Sequence, residues 1–206
     1  MIIFRSNVES LFIESFPIEL KEKYKRVFSK ICPFAFTKER YERYIAHGYN
    51  SDNEWYLLSD SEMIRFPYRV YLKDNDSVYL KLPDNESKLI YDCIFTRNCD
   101  GYVREKYLRN ILDSDFPEWC IPYILRLSSE YVVEIVETIY ETLKTRDNTD
   151  IQAFCRNNPK MVNRAYTRMV SYWDCFYKDK CWRFKDYVGR KLFRECFLPG
   201  VNFEKL

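Results

Sequence analysis

The chain has 206 residues, 47% of them hydrophobic, and 33 Lys and Arg offset 31 Asp and Glu to leave a net charge of +2. A chain of this length can bury roughly 70% of the surface its unfolded form exposes, enough for one core, and a single domain over residues 1–206 is expected. Only four glycines, at isolated positions, exclude a phosphate-cradling loop, and the longest purely apolar stretch, 119–125, falls far short of the roughly 20 residues that cross a bilayer.

Met1-Ile2-Ile3-Phe4-Arg5-Ser6 shows no basic leader followed by a long apolar run, so a soluble, cytoplasmic protein is expected. The spacing predicts helices over 17–31, with Pro17 at the start, and over 37–47, with Thr37 as cap and Gly48 as stop. Between 50 and 84 the character changes to turn-rich sequence. Tyr68-Arg69-Val70-Tyr71-Leu72 and Val78-Tyr79-Leu80-Lys81-Leu82 alternate like short strands, and a brief helix over 61–66 is stopped by Pro67. After Asp84-Asn85-Glu86, the residues Leu89, Ile90, Cys93, Ile94 and Phe95 make an apolar stripe. Asp100 can then accept hydrogen bonds from the free amides of a second helix, whose stripe is Val103, Tyr107 and Ile111. The short link between the two forces antiparallel neighbours.

A second hairpin runs through 116–127, where Pro122 should kink the helix, and 130–143, with Ser129 as cap and Val132, Ile135, Val136, Ile139, Tyr140 and Leu143 at helical spacing. A connection at 144–150 leads to a short helix ending near Arg156. Asn158-Pro159 opens another, with a row of Met161, Ala165, Met169, Tyr172 and Phe176, and a final helix over 182–197 closes a third hairpin before Leu198-Pro199-Gly200. Mainly α structure follows: antiparallel helical hairpins in a HEAT-like or irregular bundle, with a short irregular or β segment near 50–84.

The stretch from Asp100 to Leu112 resembles the second helix of a HEAT-type repeat, and the proline inside the preceding member of the next pair fits the first helix of such repeats. The resemblance covers 89–143, about a quarter of the chain, and implies a protein that binds other proteins through stacked helix pairs. The aromatic runs 168–177 and 186–193 resemble segments of small bacterial proteins.

Catalytic chemistry finds little footing. His47 is the only histidine and sits at a helix end, where a cation is an ordinary capping choice. Pro83-Asp84 with Glu86-Ser87-Lys88 lacks the separate strands that bring nuclease carboxylates together on a metal. The eight cysteines include no Cys-x-x-Cys pair, so reduced thiols rather than a zinc site or a disulfide framework are expected, with no metal and no cofactor.

Two charge patterns remain. Residues 156–206 hold 12 Lys and Arg against 5 Asp and Glu, a basic end in which Arg164, Arg168, Arg190 and Arg194 either follow a phosphate backbone or lie on solvated faces. Glu130, Glu134, Glu137 and Glu141, at offsets of 4, 3 and 4, share one face of a single helix and either are solvated or meet a basic partner. In HEAT-like stacks this row lies on the concave surface. The expected function is therefore non-enzymatic protein binding, as an immunity protein neutralising a cognate bacterial toxin of the contact-dependent growth inhibition type. The alternative is a helical nucleic-acid-binding protein using the basic carboxyl-terminal hairpin.

Overall fold

Apolar residues at helical spacing organise nearly every described part of the molecule. The computed structural model describes residues 12–31, 54–201 and 203; the expected helix at 37–47, His47 and Cys32 lie outside them. The fold is mainly α, with a small two-stranded antiparallel sheet, β1 (Tyr56–Leu57) and β2 (Met63–Ile64). No helix among the described residues is long and apolar enough to cross a membrane. The chain divides into two compact units, the first made of the described residues of 1–56 and 60–114, the second of 57–59 and 115–206.

In the first unit a 3₁₀ turn, Ile18–Leu20, leads from Pro17 into α1 (Lys21–Ile31). Its face buries Tyr24, Val27 and Phe28, and Tyr24 stacks on Phe16 with ring centroids 5.5 Å apart. The short α2 (Asp76–Tyr79) is followed by α3 (Asn85–Phe95) and α4 (Gly101–Leu112), which pack against each other as the first predicted hairpin, with α1 against α3. Asp84 and Asp100 cap α3 and α4 as the sequence suggests, accepting from the backbone N–H of Ser87 at 2.7 Å and of Tyr102 at 2.8 Å.

The stripe on α4 differs from the expected one. Val103 is half-buried, and the residues turned inward are Arg104, Tyr107, Leu108, Ile111 and Leu112. Arg104 is wholly buried because its guanidinium donates to the carbonyls of Asn98 and Cys99 at 2.9 and 3.0 Å, in the turn between the two helices. Arg97, equally buried, donates to the carbonyls of Pro67 and Tyr68, and Asn98 Nδ2 donates to the Leu72 carbonyl at 2.7 Å. These side chains fasten the extended run 67–72, which touches the turn as a single parallel bridge between Val70 and Asn98. The two strands predicted at 68–72 and 78–82 do not form. The second is replaced by α2, because Asn75 accepts from both the backbone N–H and the hydroxyl of Ser77 and starts a helical turn. The helix predicted at 61–66 is likewise absent: Met63–Ile64 is strand, entered through Ser61 with φ of 72°.

In the second unit α5 (Ile121–Leu127) follows a 3₁₀ turn, Glu118–Cys120, and all of its residues are buried. Pro122 does not kink it. The helix begins one residue earlier, so the missing N–H of the proline falls among first-turn amides that have no helical partner anyway. The next helix, α6 (Val133–Leu143), turns Ile135, Val136, Thr138, Ile139 and Leu143 inward, and it packs chiefly on the carboxyl-terminal elements rather than on α5. Ser129 does not cap it; its hydroxyl donates to the Arg126 carbonyl at the end of α5. Then come α7 (Thr149–Asn157) and α8 (Pro159–Tyr172), which runs into a π-helical turn, Trp173–Tyr177. The predicted helix over 182–197 is broken. A 3₁₀ turn, Phe184–Asp186, precedes α9 (Val188–Lys191), which continues as a second π-helical segment, Leu192–Phe197. A Cβ on Gly189 would lie 2.7 Å from both Met169 Cγ and Tyr187 Cε1, so glycine permits the close approach of α9 to α8.

Candidate functional surface

The acidic row predicted from sequence is three residues long rather than four. Glu130 lies in the turn after α5, its N–H bonded to the Leu127 carbonyl at 3.2 Å, and it is buried, because α6 starts only at Val133. Glu134, Glu137 and Glu141 do lie on the exposed side of α6, opposite Ile135, Val136 and Ile139. Glu141 pairs with Lys144. Glu134 and Glu137 have no hydrogen-bond or ion-pair partner among the described residues. Partial burial pushes the Glu137 carboxyl up, reinforced by the charges of Glu134 and Glu141.

The start of α6 is held by the first π-helical turn. Tyr177 Oη donates to the Tyr131 carbonyl at 2.6 Å and accepts the Val133 N–H at 3.2 Å, supplying one of the bonds a helix start lacks. This contact brings three rings beside the first turn of α6: Tyr131 and Tyr172 meet edge to face at 6.2 Å, and Tyr172 lies 6.1 Å from Phe176. Tyr131 is 49% exposed and Phe176 59%. The sequence reading placed Tyr172 and Phe176 in the apolar row of α8. Phe176 leaves that row because the π-helical turn carries it away from the core, whereas Tyr172, the last residue of α8, is half-buried.

The four basic candidates are spread over three elements. Arg164 and Arg168 on α8 and Arg190 on α9 are half-buried, with the Arg190 guanidinium 5.6 Å from the Phe184 ring centroid, and only Arg194 is exposed. Packing thus occupies much of the surface that three of these arginines would offer a phosphate.

A buried polar cluster in the first unit escaped sequence reading altogether. Asp92, 2% exposed, accepts from Asn110 Nδ2 at 3.0 Å and from Tyr79 Oη at 3.4 Å. Desolvation pushes its carboxyl up to about 7, against the opposing pull of those two hydrogen bonds. Around it, Tyr79, Tyr91 and Tyr107 form a triangle of rings 5.4 to 5.9 Å apart, Tyr107 donates to Asp74, and Lys106 bridges Asp74 and Asp76. Burial holds the Tyr79 and Tyr91 hydroxyls up at about 12. The legible signal was a lone aspartate inside the apolar run 89–95.

The described cysteines are free, and burial pushes the Cys155 thiol up to about 12 and Cys196 to about 11, the opposite of an activated thiolate. No group of three His, Cys, Asp or Glu among the described residues could hold a metal. A hollow of about 280 Å³ beside α1 is lined by Lys23, Arg26, Lys30, Leu82 and Pro83, but Lys23 is already held by Asp84 and Glu86. No family model matches the sequence, and comparison with curated proteins and with solved structures finds no similar protein.

Proposed function

We propose that this chain is a cytoplasmic, non-enzymatic protein-binding protein and, within that class, an immunity protein that neutralises a cognate bacterial toxin. The observation carrying this reading is the outer side of α6, where Glu134 and Glu137 stand exposed without partners. Like charges three residues apart on a helix repel, and a cationic surface laid over them relieves the repulsion. Exposed rings at the start of the same helix add the aromatic area that interfaces favour.

The test is protection against a large secreted protein with a variable carboxyl-terminal domain, assayed where the reading frame immediately upstream encodes one. The double substitution Glu134→Lys, Glu137→Lys should slow association about tenfold, since charged rims act mainly on the encounter rate. The melting temperature should barely move. Unchanged protection by the normally folded double variant removes α6 as the contact. The alternative, nucleic-acid binding by the basic end, requires strongly salt-dependent affinity for mixed RNA or DNA that falls when Arg164, Arg168, Arg190 and Arg194 are replaced by Ala.

A further inference from the structure

We infer that the surface formed by Tyr131, Tyr172, Phe176 and the start of α6 receives arginine side chains of its partner, in preference to lysine. The inference rests on the protein-binding reading and names the chemistry of what binds. Tyr131 and Phe176 are large apolar groups left in water, 49% and 59% exposed, although the chain has a buried core in which to place aromatics. Their exposure is built in. The bond from Tyr177 Oη to the Tyr131 carbonyl fixes the residue before α6, and the π-helical turn that carries Tyr177 also carries Phe176 outward.

Ring faces turned to solvent attract cations through the quadrupole of the π system. Elsewhere in this unit the exposed ring of Trp182 has Arg183 6.0 Å from its centroid, and the half-buried rings of Trp173 and Tyr140 have Lys178 at 5.6 Å and Lys144 at 5.7 Å. Tyr131 and Phe176 have none among the described residues; Tyr131 meets only Tyr172 and the carbonyl bond to Tyr177, and Phe176 only Tyr172. The charged residues flanking Phe176 balance in sign, Asp174 pairing with Lys178 and Asp179 preceding Lys180, whereas on α6 Glu134 and Glu137 stand without partners, so the unbalanced charge beside the rings is acidic and complements a cation.

The shape of the surface selects which cation. A guanidinium is flat, weakly hydrated and able to stack on a ring while its edge donates two parallel hydrogen bonds to a carboxylate. Lysine's compact ammonium keeps more of its water and cannot do both at once. An arginine lying over Tyr131 or Phe176 with its edge toward Glu134 uses both features of the surface.

The experiment titrates the whole protein with three labelled peptides of equal length, rich in arginine, lysine or glutamate, at physiological ionic strength, and follows fluorescence anisotropy. The arginine peptide should bind about tenfold more tightly than the lysine peptide, and the glutamate peptide should not bind. Phe176→Ala together with Tyr131→Ala should remove the arginine advantage while a weaker, salt-sensitive attraction to both basic peptides persists. Glu134→Gln with Glu137→Gln should weaken both. Far-ultraviolet circular dichroism establishes that each variant keeps its helices. Equal binding of the arginine and lysine peptides, or an arginine advantage that survives loss of both rings, overturns the inference but leaves α6 as a protein contact. Failure of both basic peptides to bind overturns the inference and the acidic contact surface together.

Discussion

The surroundings of Asp92 and the outer side of α6 treat carboxylates in opposite ways. In the first unit a single acid is enclosed by tyrosines and an asparagine, and its charge is suppressed by the absence of water. On α6 three acids stand exposed on one side of the helix, where water screens the repulsion between them. Both carboxyl groups with raised values, Asp92 and Glu137, reflect the same physics at different depths. The inward one ties stability to pH through its burial; the outward one lies on the exposed side of α6.

The largest effect should come from breaking the packing that encloses the inward cluster. Ile111→Asp places a carboxylate with no partner in a wholly buried site and should cost more than about 4 kcal/mol, enough to abolish the cooperative melt. Val103→Asp, one helical face away and half-buried, should cost about 1 kcal/mol, and a severe loss there would show that the face of α4 is wrongly assigned.

Asp92→Asn addresses the suppressed charge directly. With a carboxyl raised from 3.8 to about 7 in the fold, the native state keeps a proton that the unfolded chain gives up between those values. Stability therefore falls as pH rises through that window and levels off above it. The asparagine variant should be more stable than the parent at pH 8, by at most about 4 kcal/mol, and the gain should vanish near pH 4. Denaturant melts at both pH values measure it. A parent stability that climbs between pH 4 and 7 while the variant's stays flat would mean that Asp92 is ionised in the fold.

Glu137→Gln should have the smallest effect, a gain of about 0.3 kcal/mol near neutral pH from relieved repulsion along α6. Because the Glu137 carboxyl is raised, that gain should shrink as acid protonates it in the parent. A gain comparable to that of Asp92→Asn would erase the contrast between the two regions.

Hydropathy spacing made α3, α4, α6, α7 and α8 legible, and for α3 and α4 so did the caps, because burying one stripe and satisfying the first free amides are local requirements. Three kinds of feature were not legible. Arg104 occupies a core position because carbonyls from a turn meet its guanidinium, a pairing that has no sequence period. The alternation at 78–82 was overridden by one asparagine side chain starting a helical turn. The true start of α6, which leaves Glu130 buried, depends on Tyr177, 44 residues from the Val133 amide it accepts. On the surface, Glu134, Glu137 and Glu141 could be read from spacing, whereas the rings beside them could not, since Phe176 continues the apolar row of α8 in sequence and departs from it only through the π-helical turn.

Each π-helical segment closes its hydrogen-bonded rings with one residue more than an α-helix uses. At Leu192–Phe197 that surplus still lets Leu192, Phe193, Cys196 and Phe197 reach the core while Arg194 and Glu195 face outward. The chain there holds slack, so losing a single residue would convert the segment to ordinary helical pitch instead of tearing the backbone. The same loss inside α3, which has no residue to spare, would rotate every later side chain by a quarter turn or more out of register. Length variation in this molecule should thus be absorbed at the two π-helical segments and resisted in the helices around Asp92.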